Sequence, residues 1–116
     1  MYLSMFVRRC DDHALVDVAG DVDINSAPWL AQRLLNLLWA NGHRLLVDLA
    51  GVTFIDCFAI RLLAETCRRA EGQACRVQFG ALSQQVERLA ELTGLAGELP
   101  LTRSAAAGQP AVGARA

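Results

Sequence analysis

A chain of 116 residues with 53% hydrophobic content forms one domain, with enough apolar mass to build a core without metals or disulfide staples. Its formal charge of −1, with both signs spread along the sequence, excludes the basic stripe that nucleic acid or an anionic membrane surface requires. Met1-Tyr2-Leu3-Ser4-Met5-Phe6 has no basic segment ahead of its apolar run and no small-residue cleavage site, and no apolar run approaches the roughly 20 residues of a membrane span. A soluble, cytoplasmic protein without direct membrane insertion is expected.

Residues 2–8 alternate, with Leu3, Met5 and Val7 on one face, and Asp11-Asp12-His13 then makes a polar turn before residues 14–19, so the chain opens on a hairpin of two strands. Gly20 is expected to end the second strand, leaving Asp21-Val22-Asp23-Ile24-Asn25 as a carboxylate-rich loop. Ser26 can cap the next helix, with Pro28 tolerated in its first turn. Leu30, Leu34, Leu37 and Leu38 form one apolar stripe at helical spacing, and Asn41-Gly42 closes the helix.

Leu45-Leu46-Val47 is a short apolar run bounded by turn residues, as in a strand of a parallel sheet covered on both faces. The strand is expected to lead through a turn to Asp56, an acid at the mouth of a second helix. There Ala59, Leu63, Cys67 and Ala70 face inward, and Glu71-Gly72-Gln73 ends it. Cys75, Val77 and Phe79 alternate with Arg76 and Gln78 as a further strand. Ser83 can cap a last helix carrying Val86, Leu89 and Ala90, with Gly94 as its stop. From Thr102 onward, large apolar side chains nearly vanish, and a disordered tail over 102–116 is expected behind a domain over 1–101. The predicted fold is α/β: a mostly parallel four-stranded sheet with an antiparallel first strand and three to four helices.

Cys10, Cys57, Cys67 and Cys75 form no C-x-x-C pair, and no histidine stands at ligand spacing to them, so zinc is not expected. Four free thiols follow in a reducing compartment, with Cys67 and Cys75 acting as small buried hydrophobes. Asp21 and Asp23 carry two carboxylates in one stretch, which an acid/base pair or a magnesium site would need. Ordinary solvation of a loop explains them as well. No Gly-rich phosphate loop accompanies them, and no serine or cysteine is paired with a histidine in a catalytic motif. His13 in a turn and His43 before a strand occupy ordinary exposed positions. Catalysis is disfavoured and no cofactor is expected.

Val47-Asp48-Leu49-Ala50-Gly51-Val52-Thr53-Phe54-Ile55-Asp56-Cys57-Phe58-Ala59 resembles the signature of the STAS family, the anti-sigma-factor antagonists and their relatives. There, a strand ending Asp-Leu-Ser leads to an Asp-Ser-Ser/Thr-Gly loop. Gly20-Asp21-Val22-Asp23 resembles the family's Gly-Glu-Leu-Asp, Ser26-Ala27-Pro28 its helix start, and Leu92-Thr93-Gly94-Leu95 its Leu-Thr-Gly-Leu, so the resemblance runs over about residues 3–101. It implies a non-enzymatic domain that binds a partner ATPase, often a kinase-like anti-sigma factor, through the second-strand loop and the helix after the phosphoacceptor.

In phosphoregulated members the serine after the aspartate is phosphorylated, and here that position is Cys57. Phe58 and Ala59 replace a small hydroxyl residue and a glycine. The resemblance therefore implies a kept fold and a lost switch. A thiol at a helix N-terminus can also react with oxidants, although neighbouring Asp56 opposes thiolate formation, and a small, partly buried filler is the plainest reading of Cys57. A nucleophilic Cys57 in a small enzyme stands as a third reading. The helix mouth presents unpaired amides, so Asp56 is expected to cap it. On a helical wheel, Phe58 and Leu62 fall beside Arg61 and Glu65, an apolar pair among charges on an outward face. The candidate partner-binding set is thus Asp21, Asp23, Asn25, Asp56, Cys57, Phe58, Ala59, Arg61, Leu62 and Glu65. The missing serine motivates an alternative partner, an ABC-type transport ATPase, for which related STAS proteins serve as accessory subunits. A homodimer is left open.

Overall fold

The computed structural model describes residues 2–40 and 42–100. The tail expected over 102–116 lies outside the described residues, as does Asn41. Strands β1 (Leu3–Arg9), β2 (Ala14–Val22), β3 (Arg44–Ile55) and β4 (Arg76–Leu82) form one sheet in the order β1-β2-β3-β4. β1 is antiparallel to β2, and the remaining pairs are parallel. Helices α1 (Ala27–Ala40), α2 (Cys57–Glu71) and α3 (Gln84–Thr93), with a short 3-10 turn at Ala96–Glu98, complete the domain. This is the architecture expected from the alternation of periods along the chain.

The apolar stripes fall where the sequence places them. Leu30, Leu34, Leu37 and Leu38 of α1 are buried, as are Ala59, Leu63, Cys67 and Ala70 of α2. Each fully buried leucine contributes roughly 1.5–3 kcal/mol relative to an exposed one. Burial, helped by nearby Glu71, pushes the Cys67 thiol up to about 12, so it behaves as a small hydrophobe. All four cysteines are free thiols, Cys67 and Cys75 buried and Cys10 and Cys57 exposed.

One expectation fails at the sheet. Leu45, Val47 and Leu49 are buried, but Leu46 and Asp48 on the opposite face are only partly covered, and so are Leu15 beside Leu46 and Gln78 beyond it. The crossovers through α1 and α2 step in one direction across the sheet, and right-handed connections then place both helices on the same face, where they pack together. The other face is left to solvent.

β2 does not stop at Gly20 but continues through Asp21 to Val22. Gly20 (φ +104°) is required there because a Cβ would lie 2.2 Å from the Tyr2 carbonyl oxygen. β3 likewise runs on to Ile55, so no turn separates it from Asp56. Two extra residues bulge it relative to β2, between the Asp17 and Ala19 pairings and between those of Gly20 and Asp21. The first bulge is closed by Asp48, whose carboxylate accepts the Ala50 amide at 2.8 Å. Burial in this half of β3 therefore falls at Leu49, Val52 and Ile55, and Phe54 faces water.

Candidate docking site at the ends of β2 and β3

Val22 and Ile55 are register partners in adjacent parallel strands, so the chain leaves both strands at the same end of the sheet and enters α1 and α2 side by side. The Asp56 amide still reaches back to the Val22 carbonyl at 3.3 Å. From this position the Asp56 carboxylate does two things. Oδ1 accepts the Ala59 amide at 2.8 Å and caps α2, while Oδ2 accepts the Ile24 amide at 3.1 Å from the β2–α1 loop. One side chain thus fastens two loops.

Asp23 holds the second loop from within. Its side chain is only 5% exposed, and Oδ1 accepts the Asn25 amide at 2.9 Å and the Ser26 amide at 3.0 Å. The Ser26 amide chiefly holds its carboxyl below the ordinary carboxylate range, assisted by the Asn25 amide and the Ser26 hydroxyl and opposed by burial. The Ser26 hydroxyl oxygen accepts the Asp23 amide at 3.0 Å and donates to the Asp21 carbonyl, so its capping is turned backward into the loop.

Asp21 does not join Asp23. Its Oδ1 accepts the Thr53 hydroxyl at 3.3 Å, across the second bulge of β3. Two carboxylates with separate partners do not converge as an acid/base pair, and no group of three or more metal-ligating side chains occurs among the described residues.

The structure gathers Asn25, Asp56, Cys57 and Phe58 at the loop ends, with Asn25, Cys57 and Phe58 exposed and Ala59 fully buried. Arg61 is exposed one turn further along α2. Leu62 is half-buried and packs against the core, so the expected outward apolar pair reduces to Phe58 alone. Glu65 lies about 13 Å along the helix from Asp56. It accepts from Arg68 at 2.7 Å, and Arg68 also pairs with Glu98 of the 3-10 turn. The Glu65 carboxylate is the main reason the Arg68 guanidinium is held above its ordinary value. Arg68 therefore links α2 to the turn after α3, and Glu65 braces it from within the helix.

Two residues missed in the sequence complete the surface. Ile24 is 58% exposed and Phe54 48% exposed, and with Phe58 at 43% they leave three large apolar side chains around Asp56. The signal for Phe54 was the three-residue spacing of Leu49, Val52 and Ile55, which a strict alternation cannot produce. Each anchored carboxylate is occupied by backbone or hydroxyl donors, and Ile24, Phe54 and Phe58 stand exposed beside Asn25, Cys57 and Arg61.

The chain is thus a small α/β domain whose two helix mouths lie side by side at one end of the sheet, with exposed apolar side chains beside them. A family model described as "Mlab, STAS domain" matches residues 5–103, and the chain belongs to the STAS domain family. It is similar to the anti-sigma-B factor antagonist of Bacillus subtilis (strain 168), with 27% identity over 95 residues covering 82% of this chain and 86% of that protein. Among solved structures, an anti-sigma factor antagonist from Mycobacterium paratuberculosis is 26% identical with a TM-score of 0.73, covering 88% of this chain and 86% of that one. The unphosphorylated form of the anti-sigma factor antagonist SpoIIAA shares the fold at 13% identity and a TM-score of 0.67, covering 95% and 97%. No helix among the described residues is long and apolar enough to cross a membrane.

Proposed function

We propose that this protein is a non-catalytic regulatory module, an anti-sigma-factor antagonist that binds a kinase-like anti-sigma factor through the surface around Asp56. The observation that carries the reading is the double engagement of Asp56, which caps α2 and holds the Ile24 amide and so fastens the β2–α1 loop to the helix mouth, with the exposed side chains of Ile24, Phe54 and Phe58 as the apolar rim beside it. Rigid apolar anchors ringed by polar groups are what a protein partner recognises. The similarity to anti-sigma factor antagonists in sequence and structure supports the class of partner.

Cys57 is exposed at the position where phosphoregulated relatives carry serine, so this module has no hydroxyl for a serine kinase to modify. Binding is constitutive, or is governed by abundance, a second protein or thiol oxidation. Affinity capture from native cells tests the proposal by comparing wild type with Cys57→Asp. The expected result is a small kinase-like ATPase retained by wild type and released by Cys57→Asp, which brings a phosphate-like charge to the rim. Radiolabelled phosphate at residue 57 would contradict the loss of the switch.

A second reading, an accessory subunit of an ABC transport ATPase, is favoured by Cys57 itself, because such a subunit needs no phosphoacceptor. Retention of a transport ATPase indifferent to Cys57→Asp would select it.

A further inference from the structure

The two edges of the sheet are treated differently. On β4 the Phe79 amide donates to the Pro100 carbonyl at 2.7 Å, so the chain itself runs against that edge. β1 ends the strand order on the other side, with no strand beyond it among the described residues. The direction of its polar groups follows from its two ends. The Tyr2 carbonyl accepts the Asp21 amide at 2.6 Å and the Cys10 amide donates to the His13 carbonyl at 2.8 Å, so even-numbered residues turn their backbone toward β2. The register between them is unbroken. Leu3, Met5 and Val7 therefore present their amides and carbonyls to the open edge.

Natural sheets protect such an edge with proline, lysine, a bulge or a covering segment. Residues 3–7, Leu-Ser-Met-Phe-Val, have none of these among the described residues, and the first charges come only at Arg8 and Arg9. The side chains are under-covered as well. Leu3, Met5 and Val7 are only partly buried on the helix-bearing face, and Phe6 is 79% exposed on the other.

We propose that β1 is a self-pairing edge, on which the β1 of a second copy of this chain docks antiparallel with the two-fold axis at Met5, extending one sheet through both copies. The occupant is identified by self-complementarity. An axis at Phe6 would set Leu3 against Arg9 and Ser4 against Arg8 of the second copy, mixing apolar and charged residues. An axis at Val7 would bring the two Arg8 side chains diagonally together, and an axis at Ser4 shortens the overlap. The axis at Met5 sets Leu3 against Val7 of the second copy and Ser4 against Phe6, so apolar and small uncharged residues meet throughout. It also places Arg8 opposite the exposed Tyr2 ring, a favourable contact for a guanidinium. The two Phe6 rings then lie diagonally across the axis, within reach of each other on the open face of the sheet. The interface is isologous and closes as a dimer. Because the copies run in opposite directions, their Asp56 ends point apart.

Sedimentation velocity of the full chain over a concentration series, paired with amide hydrogen exchange, tests this. The expected result is a mass that doubles with concentration while the Leu3, Met5 and Val7 amides slow and the Ser4 and Phe6 amides, already held by β2, do not change. Phe6→Lys, at a solvent-exposed position, should keep the monomer fold by circular dichroism and weaken the dimer at least about tenfold. A chain that stays monomeric at every concentration overturns the proposal. So does a dimer that survives Phe6→Lys with the Met5 and Val7 amides still exchanging freely.

Discussion

The two ends of the parallel strands solve the same problem with opposite chemistry. Where β2 and β3 finish, backbone amides are satisfied by Asp23 and Asp56, and large apolar side chains stand in water among polar ones such as Asn25 and Arg61. Where β3 begins, Arg44 donates to Asp12 at 3.1 Å and His13 lies 2.7 Å from the same carboxylate, in an exposed polar cluster. His43 there adopts a positive φ of 67° and packs edge-on against Trp39. The first end turns the carboxylates of Asp23 and Asp56 onto backbone amides, while the second pairs Asp12 with Arg44 and His13 at the surface beside the half-exposed Trp39 ring. The end whose carboxylates are satisfied internally is the one on which the proposed partner docks.

Both ends rest on a glycine that a side chain cannot replace, and these carry the largest expected effects. At Gly20 a Cβ would meet the Tyr2 carbonyl, and at Gly42 (φ +72°) it would lie 2.6 Å from the Asp12 carbonyl oxygen. Gly20→Val and Gly42→Val should each cost about 3 kcal/mol in chemical denaturation. They should differ in where they act, with Gly20→Val loosening β1 and the Asp21 pairing, and Gly42→Val the hairpin turn. Equal, small losses would mean that neither approach constrains the chain.

Asp56→Ala is next. Loss of the α2 cap should cost about 1–2 kcal/mol. Hydrogen exchange should speed at both Ala59 and Ile24, two amides 35 residues apart that share one carboxylate. Faster exchange at Ala59 alone would show that the β2–α1 loop stands without Asp56, and the proposed fastening would fail.

That shared carboxylate also marks how far the sequence could be read. The cap was legible because it is local: an acid precedes an amphipathic helix, and Ser83 and Gly94 around α3 follow the same logic, with Ser83 accepting the Val86 amide and Gly94 in the left-handed region. The stripes of α1 and α2 were legible because a helix buries one face at a fixed period. The Ile24–Asp56 tie was not, since it joins residues 32 apart through a backbone amide that carries no side-chain signature. Leu45-Leu46-Val47 misled because three adjacent apolar residues do not say whether one face or two is covered. The bulges of β3 hid Phe54, because each inserted residue resets the alternation from which burial is inferred.

Phe54→Ser and Phe58→Ser separate surface from support. Both side chains are about half exposed, so stability should change by no more than about 0.5 kcal/mol. Affinity for the protein partner should nonetheless fall at least about tenfold in calorimetric titration. Arg44→Ser at the opposite end should leave that affinity unchanged, and a comparable loss from it would erase the distinction between the ends.

The smallest effect is the most discriminating, because Asp12 and Asp23 share a sign and differ in cause. Both carboxyls lie below their ordinary value of 3.8 in the folded protein, Asp12 chiefly through His13 and Asp23 chiefly through the Ser26 amide. A lowered folded value means that each contributes stability above 3.8, and that this contribution is lost as pH falls from there through the folded value. Salt should divide them. Exposed side-chain charges around Asp12 are screened within about 8–10 Å at ordinary ionic strength, whereas fixed backbone amides around a covered carboxylate are not. Acid unfolding followed at low and high salt should therefore lose the Asp12 share as salt rises and keep the Asp23 share. Asp23→Asn should remove what remains, and an acid transition that salt abolishes entirely would place Asp23 among the screened surface charges rather than inside its loop.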